Sequence, residues 1–400
     1  MRLKEVTDKY SEYLFLETPK ILYKYDKNWC CPLDNQIKNL FVPGINGYLR
    51  KGEAIRWIVL DDNNEPLGRI AAFYHKEKAM ANNEQPTGAI GFFECINDRT
   101  AAFLLFDKAK EWLTSKGMEA MDGPVNIGET FMYWGLLVKG FMPPGFGMNY
   151  NFPYYKDLFE EYGFKLYFRQ YTFHIDLNIP FPERFWKIAD WVAKKPGFTF
   201  EHFSFKNQRK YLEDICTIYN KAWSEFKDDF NPLIYDDVYD SFKSAKPIID
   251  ENLVWFAYHE GEPIAVFIMY PDVYQIFKHF NGKMNIWNMI RFLYMRKRNK
   301  ITRIRTMIAG VVPHYHNSGI ESAILAKYRD VVLKQKSYHH YREVELSWTG
   351  DFNPRMQSIF LKTGAEWAKT HYTYRYLFDR NKEFKRFMPE NVHLLGEEYD

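Results

Sequence analysis

The stretch GVVPHYHNSGIESAIL, Gly310 to Leu325, decides how the chain is read. It leaves a strand, turns a corner that holds one glycine, and enters a helix. Upstream, ITRIRTMIAGVVP alternates so that Ile304, Thr306 and Ile308 share one face, the period of a strand. Downstream, Ile320, Ala323, Ile324, Tyr328 and Val331 form the apolar stripe of a helix. The corner has two readings. A glycine lets backbone approach a ligand closely, and a helix start offers unpaired N–H groups to a phosphate. Against this, Ser318-Gly319-Ile320-Glu321 spells an S-x-x-E capping box, which would satisfy those groups internally.

Working outward, the chain repeats itself. WIVLDDNNEPLGRIAAFYH, from Trp57, and WFAYHEGEPIAVFIMY, from Trp255, each read as a hairpin whose polar turn ends in Glu-Pro. Glu65 and Glu262 are 197 residues apart. Further on, Phe159 and Phe360 each stand four residues before a glycine, Gly163 and Gly364, and both copies reach Tyr-Thr-aromatic eight residues later, at an offset of 201. Two coincidences at nearly one offset indicate a duplicated unit of roughly 190 residues. Mixed strands and helices predict an α/β (α+β) chain with a partly parallel sheet in each half. The expected boundaries are a first domain over 1–180, a linker over 181–197, and a second domain over 198–400.

At 400 residues and 46% apolar content, a packed interior of two or more domains is expected and disorder is not. The 34 Phe, 29 Tyr and 11 Trp either fill that interior or serve an apolar ligand. Four cysteines occur without a CxxC spacing, and the first residues carry charges where a secretory segment would be apolar. With no run of about 18 apolar residues, a reduced cytoplasmic protein is expected. The formal net charge is +3, yet nine Lys or Arg and no acid lie between Val273 and Ile320. The rest of the chain is therefore near −6.

The second half resembles the GNAT acyltransferase superfamily. The likeness rests on VVPHYHNSGIESAIL, where that family has a strand, a glycine-containing turn and a helix. It rests also on DFNPRMQSIFLKTGAEW, similar to the family's later Asn, short helix and glycine. The first half looks like a degenerate copy. The resemblance therefore implies two tandem GNAT-like domains, each a mixed, partly parallel central sheet flanked by helices. It implies transfer of an acetyl or longer acyl group from acyl-CoA to an amine of a small molecule or lipid, with no metal. Carried over, Val311, Val312, His316, Asn317, Ser318, Gly319 and Ile320 would contact the coenzyme, and Asn353 would sit near its thioester arm. His316 and Glu321 depart from the pattern, which has Gln or Arg and a small residue there.

Amine acylation needs a base for the ammonium and a donor for the leaving thiolate. The family's usual donor position holds Phe360, which has no hydroxyl. Tyr315 is the substitute, with Tyr372 and Tyr374 behind it. Glu345, on the strand YREVELSW with Glu343 and Ser347 on the same face, and Asp351 in DFNP are the base candidates. In the first half, GAIGFFECINDRTAAF has no turn glycine and reads as capped by Asn97 or Asp98, so no coenzyme is expected there. Its long loop DGPVNIGETFMYWGLLVKGFMPPGFGMNYNFP offers Asn126, Glu129, Tyr133 and Tyr150 to the acceptor. The basic stretch over 274–305 reads as a solvated helix, as an attractor of coenzyme phosphates, or as peripheral contact with an anionic membrane. Nucleic acid is the weakest partner for it. A second class of function stays open: a non-catalytic tandem scaffold for an acyl or anionic ligand.

Overall fold

In the computed structural model the described residues are 1–81, 83–128, 132–223, 232–316 and 318–387. Their strands in chain order are β1 (Arg2–Glu5), β2 (Gly52–Leu60), β3 (Pro66–His75), β4 (Thr87–Cys95), β5 (Ala120–Gly123), β6 (Leu136–Lys139), β7 (Lys165–Asp176), β8 (Phe198–His202), β9 (Val254–His259), β10 (Glu262–Pro271), β11 (Arg303–Val311), β12 (Glu343–Gly350) and β13 (Glu366–Leu377). The helices are α1 (Lys9–Leu22), α2 (Asp34–Asn39), α3 (Arg99–Ser115), α4 (Tyr155–Tyr162), α5 (Glu183–Val192), α6 (Gln208–Trp223), α7 (Tyr235–Ala245), α8 (Tyr274–Phe277), α9 (Ile286–Lys297), α10 (Ile320–Lys334) and α11 (Pro354–Lys362).

All described strands join one mixed sheet, in the order β1-β2-β3-β4-β5-β13-β7-β12-β11-β10-β9-β8, with β6 paired to β13. This order is a palindrome. The hairpin β2-β3 answers the hairpin β9-β10, β4 answers β11, and β5 answers β12, as the sequence repeat requires. The closing strands, however, are exchanged. β7, from the first half, pairs with β12 of the second, while β13, from the second half, pairs with β5 of the first. β7 and β13 then pair with each other from Glu366↔His174 to Arg375↔Lys165, which makes the seam of the molecule. The sequence reading expected closing strands in each half; it did not foresee that they cross over.

Strand alternation places helices on both faces. Trp57 and Val59 turn towards Leu105 and Phe106 of α3, whereas Ile58 and Leu60 turn towards Leu14 and Phe15 of α1. In the second half Ala257 and Phe267 meet Ile320 and Ile324 of α10, and Phe256 and Val266 meet Leu212 and Ile218 of α6. Most of the aromatic excess goes into these layers; Phe93, Phe106, Phe159 and Phe164 stack in one nest under α3 and α4. The segment 181–197 is not extended linker chain. Trp186 and Ala189 of α5 are buried in the second half's core, and α5 lies along α10.

The halves differ between their third and fourth strands. Residues 76–86 connect β3 to β4, whereas residues 272–302 connect β10 to β11 and carry α8 and α9.

Candidate active site

β11 and β12 are parallel neighbours, but they pair only from Arg303↔Glu343 to Arg305↔Glu345. Beyond that β11 stays with β10, taking a bulge between its partners Ile268 and Met269. β12 stays with β7, with its own irregularity between Leu346 and Thr349. The two strands therefore part like a fork. Its crotch is bridged by side chains: Arg305 Nε donates to Ser347 Oγ at 2.9 Å, and Ser347 donates to the Thr306 carbonyl at 3.3 Å.

The corner after β11 stands at the open end of this fork. Gly319 is the N-cap of α10 with φ +85°, a left-handed conformation that favours glycine, and having no side chain it leaves the helix start uncapped among the described residues. A Cβ at Gly319 would also meet Val192 of α5 at 3.0 Å. The capping-box reading is thus corrected. Ser318 Oγ donates to the Tyr315 carbonyl at 2.6 Å instead of the helix, and Glu321 is buried in an ion pair with Arg355 of α11. The pairing also neutralises the carboxylate that would otherwise repel an anion at the helix start. His316 turns back, its Nε2 at 3.1 Å from the Val311 carbonyl, while the Val312 N–H donates to the Ile264 carbonyl. Ile320 is fully buried under the corner. Asn317 and Glu129 lie outside the described residues.

A closed set of charges fills the root of the fork. Glu345 is buried against Lys369 from β13, with Arg303 and Arg305 each 3.8 Å away. Burial alone would push the Glu345 carboxyl up; Lys369, Arg303 and Arg305 together outweigh it and bring it down to about 2. A carboxylate held so firmly is a poor proton acceptor at neutral pH. Arg303 also binds Asp272 at 2.6 Å. The first half reaches into this cluster through its long loop: Arg303 donates to the Pro143 and Pro144 carbonyls, and Asp272 accepts the Phe146 N–H at 2.9 Å. Gly145 passes so close that a Cβ there would lie 2.2 Å from Glu345. Arg303 and Arg305, counted in the sequence as part of a basic surface, are therefore interior.

The other candidates disperse. The Tyr315 hydroxyl is hydrogen-bonded to His259 Nδ1 at 3.1 Å and makes no bond to Glu345. Tyr374 lies in the first half, bonded to Glu160, and Phe360 packs on Phe173. Asp351, at the end of β12, is buried; burial raises its carboxyl although Arg386 pairs with it and pulls the other way. Its Oδ1 has no hydrogen-bond partner. Asn353 caps α11 by accepting the Met356 N–H at 3.2 Å.

In the first half, α3 is capped by Asp98, as the sequence allowed. Beside β4 lies a cavity of about 60 Å³ lined by residues that include Tyr133, Tyr150, Arg69, Glu94 and Cys30. Tyr150 donates to Asp26 at 2.8 Å, and the Tyr133 hydroxyl is 3.4 Å from that of Tyr274. Asn126 is buried in the same loop but does not line the cavity. Arg69 and Glu94 were missed in the sequence. Arg69 stands in GRIAAF, where only the near-continuous apolar run of a strand buried on both faces marks it as interior.

No family model matches the chain. A bacterial ceramide synthase of Caulobacter vibrioides is 24% identical over 368 residues, covering 90% of this chain and 93% of that protein. Among solved structures, a tandem GNAT protein from the clavulanic acid biosynthesis pathway superposes with a TM-score of 0.57 at 12% identity, over 94% of this chain and 99% of that one. A GCN5-related glucosamine N-acetyltransferase region in a fungal multi-domain β-N-acetylglucosaminidase gives 0.55 at 11% identity; 94% of this chain is covered, but it spans only 38% of that protein. The palindromic sheet, the fork and the glycine corner agree with these likenesses: the chain has the tandem GNAT fold.

Proposed function

We propose that the protein is an acyl-CoA-dependent N-acyltransferase that moves a fatty acyl group to the amine of a lipid-like acceptor. The observation that carries this is the corner at Gly319. It combines a fork between parallel strands, a helix start whose N-cap is a glycine without a side chain, and a buried carboxylate already paired with Arg355. These residues fit a pyrophosphate, with the N–H groups and the helix dipole supplying positive potential. Coenzyme A would contribute the activated thioester. Likeness to a protein named ceramide synthase supports a long acyl chain and a long-chain amine over acetyl transfer to a polar acceptor.

Of the two carboxylates, Asp351 suits proton removal better than Glu345, because burial raises one carboxyl while three cations hold the other down. The Glu345 cluster positions the fork: it fixes Arg305, which ties β11 to β12. Tyr133 and Tyr150 on the cavity wall would meet the acceptor.

Thermal unfolding with coenzyme A, acetyl-CoA and palmitoyl-CoA tests the reading. A ligand at 100-fold its Kd should add about 2.7 kcal/mol, a shift of several degrees. The shift should be largest with palmitoyl-CoA and absent in Gly319→Glu. Equal, unshifted curves with all three ligands would remove the acyltransferase reading and favour the non-catalytic scaffold.

A further inference from the structure

The α8–α9 insertion carries an exposed apolar face that acyl transfer does not use. On α9, Trp287 is 75% exposed, Tyr294 59%, Leu293 56% and Ile290 53%, with Ile286 and Met289 also exposed; only Phe292 is buried, against Phe277. At about 100° per residue these six side chains span an arc of roughly 160° on the side away from the protein. Arg291 flanks one edge of that arc. Arg296 flanks the other and anchors the helix by bonding the Pro247 and Ile249 carbonyls. Lys278, Lys283, Arg298 and Lys300 are exposed around it, Lys297 is exposed on the arc itself in the last turn of α9, and no acidic residue lies between Val273 and Ile320.

We infer that α9 docks on an anionic lipid bilayer, lying in the interfacial plane with Trp287, Ile290 and Leu293 below the headgroups. A broad apolar arc rimmed by lysine and arginine is the pattern of a helix at a charged membrane surface. A second copy of this chain fits worse, because a two-fold contact would bring the two basic rims together. Single-stranded nucleic acid fits worse too: binding there needs stacking rings, and the centre of the arc is aliphatic. The surface adjoins the cavity of the first half. Gly282 accepts the Asp34 N–H at 2.8 Å, Cys30 Sγ lies 3.5 Å from the Tyr274 carbonyl, and Cys30 and Ile37 line the cavity. A bilayer under α9 therefore lies beside the wall of that cavity. The docking itself does not depend on acyl transfer.

The test is co-sedimentation of the full chain with phosphatidylcholine vesicles, with and without phosphatidylglycerol. Binding should require phosphatidylglycerol and weaken with salt. Lys297→Gln and Arg298→Gln should each reduce it about fivefold. Trp287→Glu with Leu293→Glu should reduce it more than tenfold, with an unchanged melting temperature because both side chains are exposed. Trp287→Phe should retain binding, and Gly319→Glu should bind like the parent, which separates this result from the coenzyme experiment. Vesicle binding untouched by the double variant would overturn the proposal. So would no vesicle binding, whether sedimentation velocity showed a monomer, an α9-dependent dimer, or a complex with single-stranded DNA.

Discussion

Glu345 shows how one side chain can be indispensable without being reactive. With Asp272, it offsets the charges of Lys369, Arg303 and Arg305 in the buried root of the fork. Glu345→Gln leaves that positive charge uncompensated, and a loss of about 3–5 kcal/mol is expected in urea unfolding. His371 makes a different statement. It is fully buried beside Trp134, and burial brings its imidazole down to about 3, against the Asn149 carbonyl that favours the charged form. A depressed folded-state pKa means that the unfolded chain takes up the proton first. The stabilisation is complete above pH 6.5 and is lost as pH falls towards 3. Over that window His371 should contribute a slope of about 1.4 kcal/mol per pH unit, and His371→Asn should remove it. Neither residue was legible as a buried ionisable group. Glu345 was read correctly onto its strand face, but its neighbours come from β11 and β13, which no local pattern connects.

The elements themselves were read more easily. Hairpins, the strand–glycine–helix corner and the short helix before Gly364 follow from periodicity and turn residues, and the structure has each of them. The insertion was visible as a run of bases, but alternation in ITRIRT put Arg303 and Arg305 on the polar face of a strand and gave no sign that this face is buried. What misled was the cap. An S-x-x-E tetrad satisfies a helix only if its serine is the N-cap, and here the left-handed Gly319 takes that place. Glu321 is thereby free to meet Arg355 of α11. Arg355→Met should strand the carboxylate beside the helix start and weaken coenzyme A binding by roughly tenfold, since one unit charge at short range costs about 1 kcal/mol or more. Glu321→Gln in the same background should restore it, which titration calorimetry would read directly.

For the whole molecule, the repeat gave the count of halves and the order of their strands, but not the exchange of β7 and β13. An exchange leaves the same strand patterns in the same order, so sequence cannot distinguish it from two self-contained units. Its energetic signature is measurable. The pairs β5–β13 and β7–β12 tie each half to the other, so heating should give one cooperative transition whose calorimetric and van't Hoff enthalpies agree. Two separate transitions would contradict this. Fragments cut near residue 180 should be unstable alone and gain structure when mixed.

The exchange also has a consequence for synthesis. The first half leaves the ribosome with β5 lacking its neighbour, which lies about 250 residues later in the chain. Until β12 and β13 have been made, β5 and the long strand β7 are open edges, ready to pair with whatever strand arrives. A nascent chain of this kind depends on being shielded during elongation, and truncated products should be the species that aggregate. Maturation is thus timed by the arrival of β13.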